Sequence, residues 1–234
     1  MSTDQTRTYD RATSVVFLKT DQPFGGLSNM AGGYRLYVQG VRILTSEALY
    51  QACRFPHKPD VQRLIIGQAS PITAKMKCKR YRSASRPDWG QVRVKIMRWC
   101  LRVKLAQNWA VFSELLLRTG DRPIVEESRK DDFWGAKPGA EHTLVGMNVL
   151  GRLLMELREA VKTGGHEAFL HVDPLAIPDF LLLGQSIEAI AGQRSKSIER
   201  PAAQQRDTST SVDKREVEQA TLFAQPAARN RLVG

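Results

Sequence analysis

Between residues 14 and 44 apolar and polar side chains alternate, interrupted by glycines, which is the period-two pattern of short strands. Tyr34-Arg-Leu-Tyr-Val38, the Gln39-Gly40 pair and Val41-Arg-Ile-Leu44 read as a two-stranded hairpin. Past Leu44 the period lengthens. Thr45-Ser46 supplies a helix N-cap, and Glu47 to Phe55 is predicted helical up to Pro56. Helices are also predicted over 60–68 and from Ser70 or Pro71 to Lys79. Val92, Ile96, Trp99, Val103 and Ala106 recur at three- and four-residue steps, so a long helix is predicted over 89–107. A second follows over 108–118 and ends at Thr119-Gly120. Ile124-Val125-Glu126 reads as a short strand, residues 131–142 as a Gly- and Pro-rich loop, and 148–162 as an apolar helix closed by Gly164-Gly165.

Beyond Gly165 the pattern weakens. Residues 171–192 hold a small apolar patch, and 193–214 have almost no apolar mass, which reads as a disordered linker. A short apolar island, Gln219-Ala-Thr-Leu-Phe223, follows, and no internal repeat is found. The expectation is an α+β, helix-dominated compact single domain over 14–164 with a small β-hairpin or sheet. A largely disordered C-terminal extension over 165–234 would complete the chain.

Composition narrows the class. With 42% hydrophobic and 25% charged residues in 234, the chain has ordinary globular content. No apolar run approaches the roughly 18 to 20 residues that span a bilayer, and the first residues are polar. A cytoplasmic protein without a membrane partner is therefore expected. Cys53, Cys78 and Cys100 are scattered, with no paired spacing, so no disulfide framework, metal site or cofactor is expected.

The net charge of +11 has a location. Residues 54–104 carry 14 basic and 2 acidic residues, while the rest of the chain is close to neutral. Lys75, Lys77, Lys79, Arg80, Arg82 and Arg86 crowd one part of that stretch, a face suited to the phosphates of a nucleic acid. The alternative is a solvated helix face that serves solubility.

Chemistry has to come from acids, amides and aromatics, because no phosphate-binding loop, nucleophile elbow or zinc-binding His pair occurs. Glu47, Gln51 and Arg54 fall on one helical face. Glu47 can act as a general base or stabilise a sugar cation; equally, an acid in a first helical turn only complements the macrodipole.

Several fragments, taken together and in order, resemble the NADAR family. They are Phe24-Gly-Gly-Leu-Ser-Asn29, Thr45-Ser-Glu47 with Gln51 and Phe55, Trp89 with Met97 and Lys104, and Leu115-Leu-Leu. Val125-Glu126, Asp131-Asp-Phe-Trp-Gly135 and Gly146-Met-Asn-Val-Leu-Gly151 complete the series. The resemblance covers 15–162 and implies an N-glycosidase without cofactor. Its substrate would be ADP-ribose on guanine bases of nucleic acid, expected to be DNA, or phosphorylated aminosugar intermediates of riboflavin synthesis. A non-catalytic ADP-ribose or nucleic-acid binding module is the rival outside enzymes.

The same resemblance assigns Glu47, Asp131 and Arg54 to catalysis, and Ser28, Asn29, Gln51, Trp134, Gly135, Asn148 and Gly151 to substrate binding. From the residues alone, Asp131 can equally cap a turn, Trp134 can be core, and Asn148 can be an N-cap. Family members carry His after the Glu and Lys near the helix end, where this chain has Ala48 and Arg54. A guanidinium stays protonated and forms no Schiff base, so Arg54 can serve only by binding or charge. Finally, Gln219, Leu222 and Phe223 are similar to the pentapeptide by which bacterial DNA-processing proteins dock on the replication sliding clamp.

Overall fold

The structure, a computed structural model, describes residues 5–193. Strands Arg7–Asp10 (β1) and Val15–Phe17 (β2) come first, then Leu36–Val38 (β3) and Val41–Ile43 (β4). β3 and β4 form the expected antiparallel hairpin, with Leu36 opposite Ile43 and Val38 opposite Val41. Its two-residue turn requires left-handed backbone, which Gln39 (φ 51°) and Gly40 (φ 75°) provide. Three short helices follow, Ser46–Ala52 (α1), Pro59–Ile66 (α2) and Pro71–Lys79 (α3), then the 19-residue Trp89–Gln107 (α4) and Trp109–Leu117 (α5). Ile124–Glu126 (β5) pairs in parallel with β2. Lys137–Pro138 (β6) and Thr143–Gly146 (β7) join β1 in an antiparallel sheet of order β1-β7-β6, before Val149–Gly164 (α6). The last described strands have two residues each: His171–Val172 (β8), Leu181–Leu182 (β9), Gln185–Ser186 (β10) and Ile190–Ala191 (β11).

Helices dominate this α+β body, as the apolar spacing predicts. α4 buries Val92, Ile96, Trp99 and Val103, and α6 turns Leu150, Leu153, Leu154, Leu157 and Val161 into the same core. α1 is short and buried along its whole length, packed by α2, α3 and α4. No helix among the described residues is long and apolar enough to cross a membrane.

The body is larger than the expected 14–164. At the front, β1 pairs with β7 from Arg7 opposite Gly146 to Asp10 opposite Thr143. Only Tyr9 of its four residues is buried, so alternation along the chain carries almost no apolar signal there. At the back, residues 165–193 are packed rather than disordered: Phe169, Val172, Phe180, Leu182, Ile187 and Ile190 are buried in the main core. Trp99 Nε1 donates to the Asp173 carbonyl at 2.9 Å, and its ring meets Phe180 edge-on. The buried amide of Gln62 donates to the carbonyls of Ala52 and Leu181 and accepts from the Leu183 N–H. The motif expected at Gln219, Leu222 and Phe223 lies outside the described residues.

Candidate active site

Thr45, in extended backbone, accepts the Ala48 N–H at 3.2 Å and starts α1 at Ser46. Glu47 and Gln51 then stand one turn apart on one face. Gln51 Nε2 donates to Glu47 Oε1 at 2.8 Å, and Asn29 Nδ2 donates to Glu47 Oε2 at 2.9 Å. Each carboxylate oxygen thus accepts an amide hydrogen bond. Cys78 Sγ donates in turn to Gln51 Oε1 at 2.8 Å. Asn29 Oδ1 is buried and has no partner among the described residues.

The loop that carries Asn29 is fastened from below. The Glu47 N–H and Ser46 Oγ both donate to the Asn29 carbonyl, at 3.0 and 3.1 Å. Lys104 Nζ donates to the carbonyls of Gly26 (2.6 Å) and Ser28 (3.1 Å), with the ring centres of Tyr34 and Phe112 at 4.2 and 4.3 Å. Burial pushes the pKa of Lys104 well below its ordinary value.

Asn29, Glu47 and Gln51 line a cleft of about 450 Å³. Its acids are Glu47, Glu126, Glu127 and Asp131; its bases are Arg54, Lys75, Arg82, Arg93 and Arg129. Glu127 is engaged by Arg11 at 2.8 Å. Arg54 Nε donates to Ser85 Oγ at 2.6 Å while its guanidinium lies 5.1 Å from the Trp89 ring centre. Arg93 stacks 3.7 Å above Phe133. Tyr50 meets Trp89 at 5.1 Å and Trp134 at 5.7 Å, which makes an aromatic wall. Burial, then the charge of Glu47, raises the Tyr50 pKa, so its phenol stays protonated.

Asp131 Oδ1 accepts the N–H groups of Phe133 (3.0 Å) and Trp134 (2.9 Å), an Asx turn that orients Trp134. Capping and cleft lining therefore coexist in one residue. Glu126, at the end of β5, is an acid of the cleft that the motifs do not assign to the site. Its half-buried carboxyl is pushed up to about 7, first by burial and then by the carboxylates of Glu47 and Asp131, against the pull of Lys75. The first of two adjacent acids closing an apolar strand is the signal the sequence offers for it.

The structure gathers Glu47, Gln51, Arg54, Asn29, Asp131, Trp134, Lys75 and Arg82 around this cleft. Several expected site residues instead hold the frame. Asn148 is fully buried at φ 48°; its Oδ1 accepts the Glu126 N–H and its Nδ2 donates to the Ile124 carbonyl, so its amide is spent on β5 and neither binds phosphate nor caps α6. Gly151 lies so close to the Ile124 carbonyl that a Cβ would sit 2.1 Å from its oxygen, and at Gly135 it would sit 2.5 Å from the Glu126 carbonyl oxygen. Ser28 is buried and its Oγ accepts the Met30 N–H. Arg86, expected on the nucleic-acid face, is instead buried, grips Asp88 with two nitrogens and donates to the Pro178 carbonyl, so it faces no nucleic acid. Lys79 and Arg80 are exposed, and Lys77 is half-buried, all outside the cleft.

The NADAR domain family model matches residues 16–162. The chain belongs to the NADAR family. It is 34% identical over 151 residues to an N-glycosidase of Nostoc punctiforme, covering 64% of this chain and 93% of that one. The N-glycosidase YbiA of Escherichia coli is 33% identical over 150 residues, which is 63% of this chain and 88% of YbiA. A riboflavin biosynthesis protein of Vibrio vulnificus is 34% identical over 148 residues, 63% of this chain but 38% of that protein. The NMR structure of the E. coli protein YbiA superposes with a TM-score of 0.54 at 29% identity, covering 66% of this chain and 92% of that one. The NADAR match ends before residues 165–193, so the packed C-terminal strands of this chain lie beyond it.

Proposed function

We propose that this NADAR protein is an N-glycosidase that hydrolyses the bond between ADP-ribose and guanine in ADP-ribosylated DNA. The observation that carries the reading is a single cleft with two polarities. Its floor holds Glu47 between Asn29 and Gln51; its rim holds Arg54, Lys75, Arg82 and Arg93 beside Trp89 and Trp134. Breaking a C–N bond at a ribose carbon builds positive charge on the sugar, which a fixed carboxylate stabilises. The same carboxylate can take a proton from the incoming water. The cations of the cleft suit the diphosphate, and the indoles suit a base. The NADAR relatives named N-glycosidase support the reaction class.

The name of the Vibrio relative supports a second reading, a phosphorylated riboflavin-pathway intermediate as substrate. Incubation with an ADP-ribosylated oligonucleotide and with such an intermediate, each followed by release of the free sugar phosphate, separates the two. Glu47→Gln is expected to lower the productive rate by ~10²–10⁴-fold with folding intact. Release at the wild-type rate by this variant rejects the assignment of Glu47, and binding without release by the wild type favours a non-catalytic module.

A further inference from the structure

Glu126 lines the same cleft as the amide-bound Glu47, on a backbone held at several points. Its N–H donates to Asn148 Oδ1 at 3.1 Å, its carbonyl accepts the Ala136 N–H at 2.8 Å, and β5 is paired with β2 through Phe17. The two carboxylates differ in their surroundings. Both oxygens of Glu47 accept amide hydrogens, whereas no side-chain hydrogen bond reaches the carboxyl of Glu126 among the described residues. An anion is solvated in the first setting and a neutral acid is favoured in the second. Paired carboxyls held in unlike surroundings are how one site supplies both a base and an acid.

Given the N-glycosidase reading on which it rests, we infer that Glu126 is the catalytic proton donor to the departing base. The C–N bond breaks with its electron pair leaving on the base nitrogen, which takes the proton of the Glu126 carboxylic acid. Water adds to the ribose carbon and gives its proton to Glu47. Transfer of that proton through solvent to Glu126 restores the starting state, so the products are one sugar hydroxyl and one N–H for each water consumed. The charged groups that face Glu126 are Glu47 from α1, Lys75 from α3 and Asp131 from the loop after β5. Arg54 and Arg93 line the same cleft, and Glu127 is held by Arg11. The acids keep the Glu126 proton on, Lys75 works against them, and an apparent pKa of about 7 leaves a large protonated fraction at neutral pH.

The test compares wild type, Glu126→Gln and Asp131→Asn between pH 5 and 9 on whichever N-glycoside the wild type cleaves. A second substrate carries a p-nitrophenolate leaving group at the same ribose carbon and needs no proton. Wild-type turnover is expected to fall on the alkaline side with a midpoint near 7. Glu126→Gln is expected to lose ~10²–10⁴-fold at pH 6 on the N-glycoside, to lose that alkaline limb, and to retain most of its rate on the nitrophenyl substrate. Asp131→Asn is expected to keep the limb. An unchanged limb in Glu126→Gln, or an equal loss on both substrates, overturns the proposal. Cleavage of the riboflavin-type substrate instead of the ADP-ribosylated oligonucleotide rejects the DNA reading, and the same comparison on that substrate then decides the role of Glu126. Should the wild type cleave neither, a carboxyl carbon of Glu126 that titrates in the usual acid range in the folded protein overturns the proposal as well.

Discussion

An amide has a donor end and an acceptor end, and Glu47 and Cys78 between them use both ends of Gln51. The carboxylate, which can only accept, takes the NH₂, and the thiol hydrogen satisfies Oε1. Replacing Cys78 with Val removes the donor and leaves the buried Gln51 Oε1 without its partner, which loosens the amide that holds Glu47. Cys78→Val is expected to lower kcat by about tenfold, in line with one lost hydrogen bond of ~1–1.5 kcal/mol, while Cys78→Ser retains the rate. Steady-state kinetics on both variants, with thermal unfolding as a control, check this; equal rates would remove Cys78 from the site. At this scale the sequence is informative in proportion to how local each role is. Glu47 and Gln51 are legible because helical spacing puts them together. Asp131 is legible because a turn-capping acid two and three residues before its donors is a local signal. The roles of Asn148 and Gly151, and the hold of Arg86 on Pro178, are not, because those partners lie more than twenty residues away: Gly151 is small because the Ile124 carbonyl presses on it. Motif resemblance marks frame and site residues alike.

Elements with a regular apolar period are legible to within a residue or two. The prediction of 89–107 is met by α4 at Trp89–Gln107, and the hairpin forms around the turn that Gln39-Gly40 implies. The helix expected over Glu47–Phe55 stops at Ala52, with Cys53 already at its C-cap. The strands after α6 escape detection because two residues contain no period, and their apolar side chains look like an isolated patch until α4 is there to receive them. That packing has a consequence. Ending the chain after Gly164 would expose the sites on the core filled by Phe169, Val172, Phe180, Leu182, Ile187 and Ile190. At ~1.5–3 kcal/mol for each large apolar side chain, the loss rivals the whole ~5–15 kcal/mol by which a domain is stable. Thermal melts and dye binding to exposed apolar surface are expected to find the chain ending at 164 unfolded or aggregated, and the chain ending at 193 cooperatively folded. A cooperative melt from the shorter chain within a few degrees of the longer would show that these strands are an accessory layer.

On the scale of the whole molecule, eight of the fourteen basic residues in 54–104 fall into three groups with different work. Arg86 and Lys104 are buried and spend their charge on carbonyls, a carboxylate and aromatic faces. Arg54, Lys75, Arg82 and Arg93 line the cleft. Lys79 and Arg80 stand exposed beyond it, where α3 ends. Of these, only the second and third groups can meet a polyanion, so the count of basic residues overstates the surface a polyanion would meet. Under the proposed function, contacts inside the cleft would be shared by free ADP-ribose and the modified strand, whereas those outside would serve the strand alone. Charge reversal of Lys79 and Arg80 together is therefore expected to weaken binding of an ADP-ribosylated oligonucleotide and to reduce the slope of log affinity against log salt by about two. The same pair of substitutions should leave the affinity for free ADP-ribose within twofold. Lys75→Glu should weaken both ligands, because Lys75 lines the cleft itself. Titrations of the two ligands at several salt concentrations decide between this division and a small-molecule enzyme: if the double reversal leaves the oligonucleotide slope unchanged, the outer basic surface serves solubility and the substrate ends at the rim of the cleft.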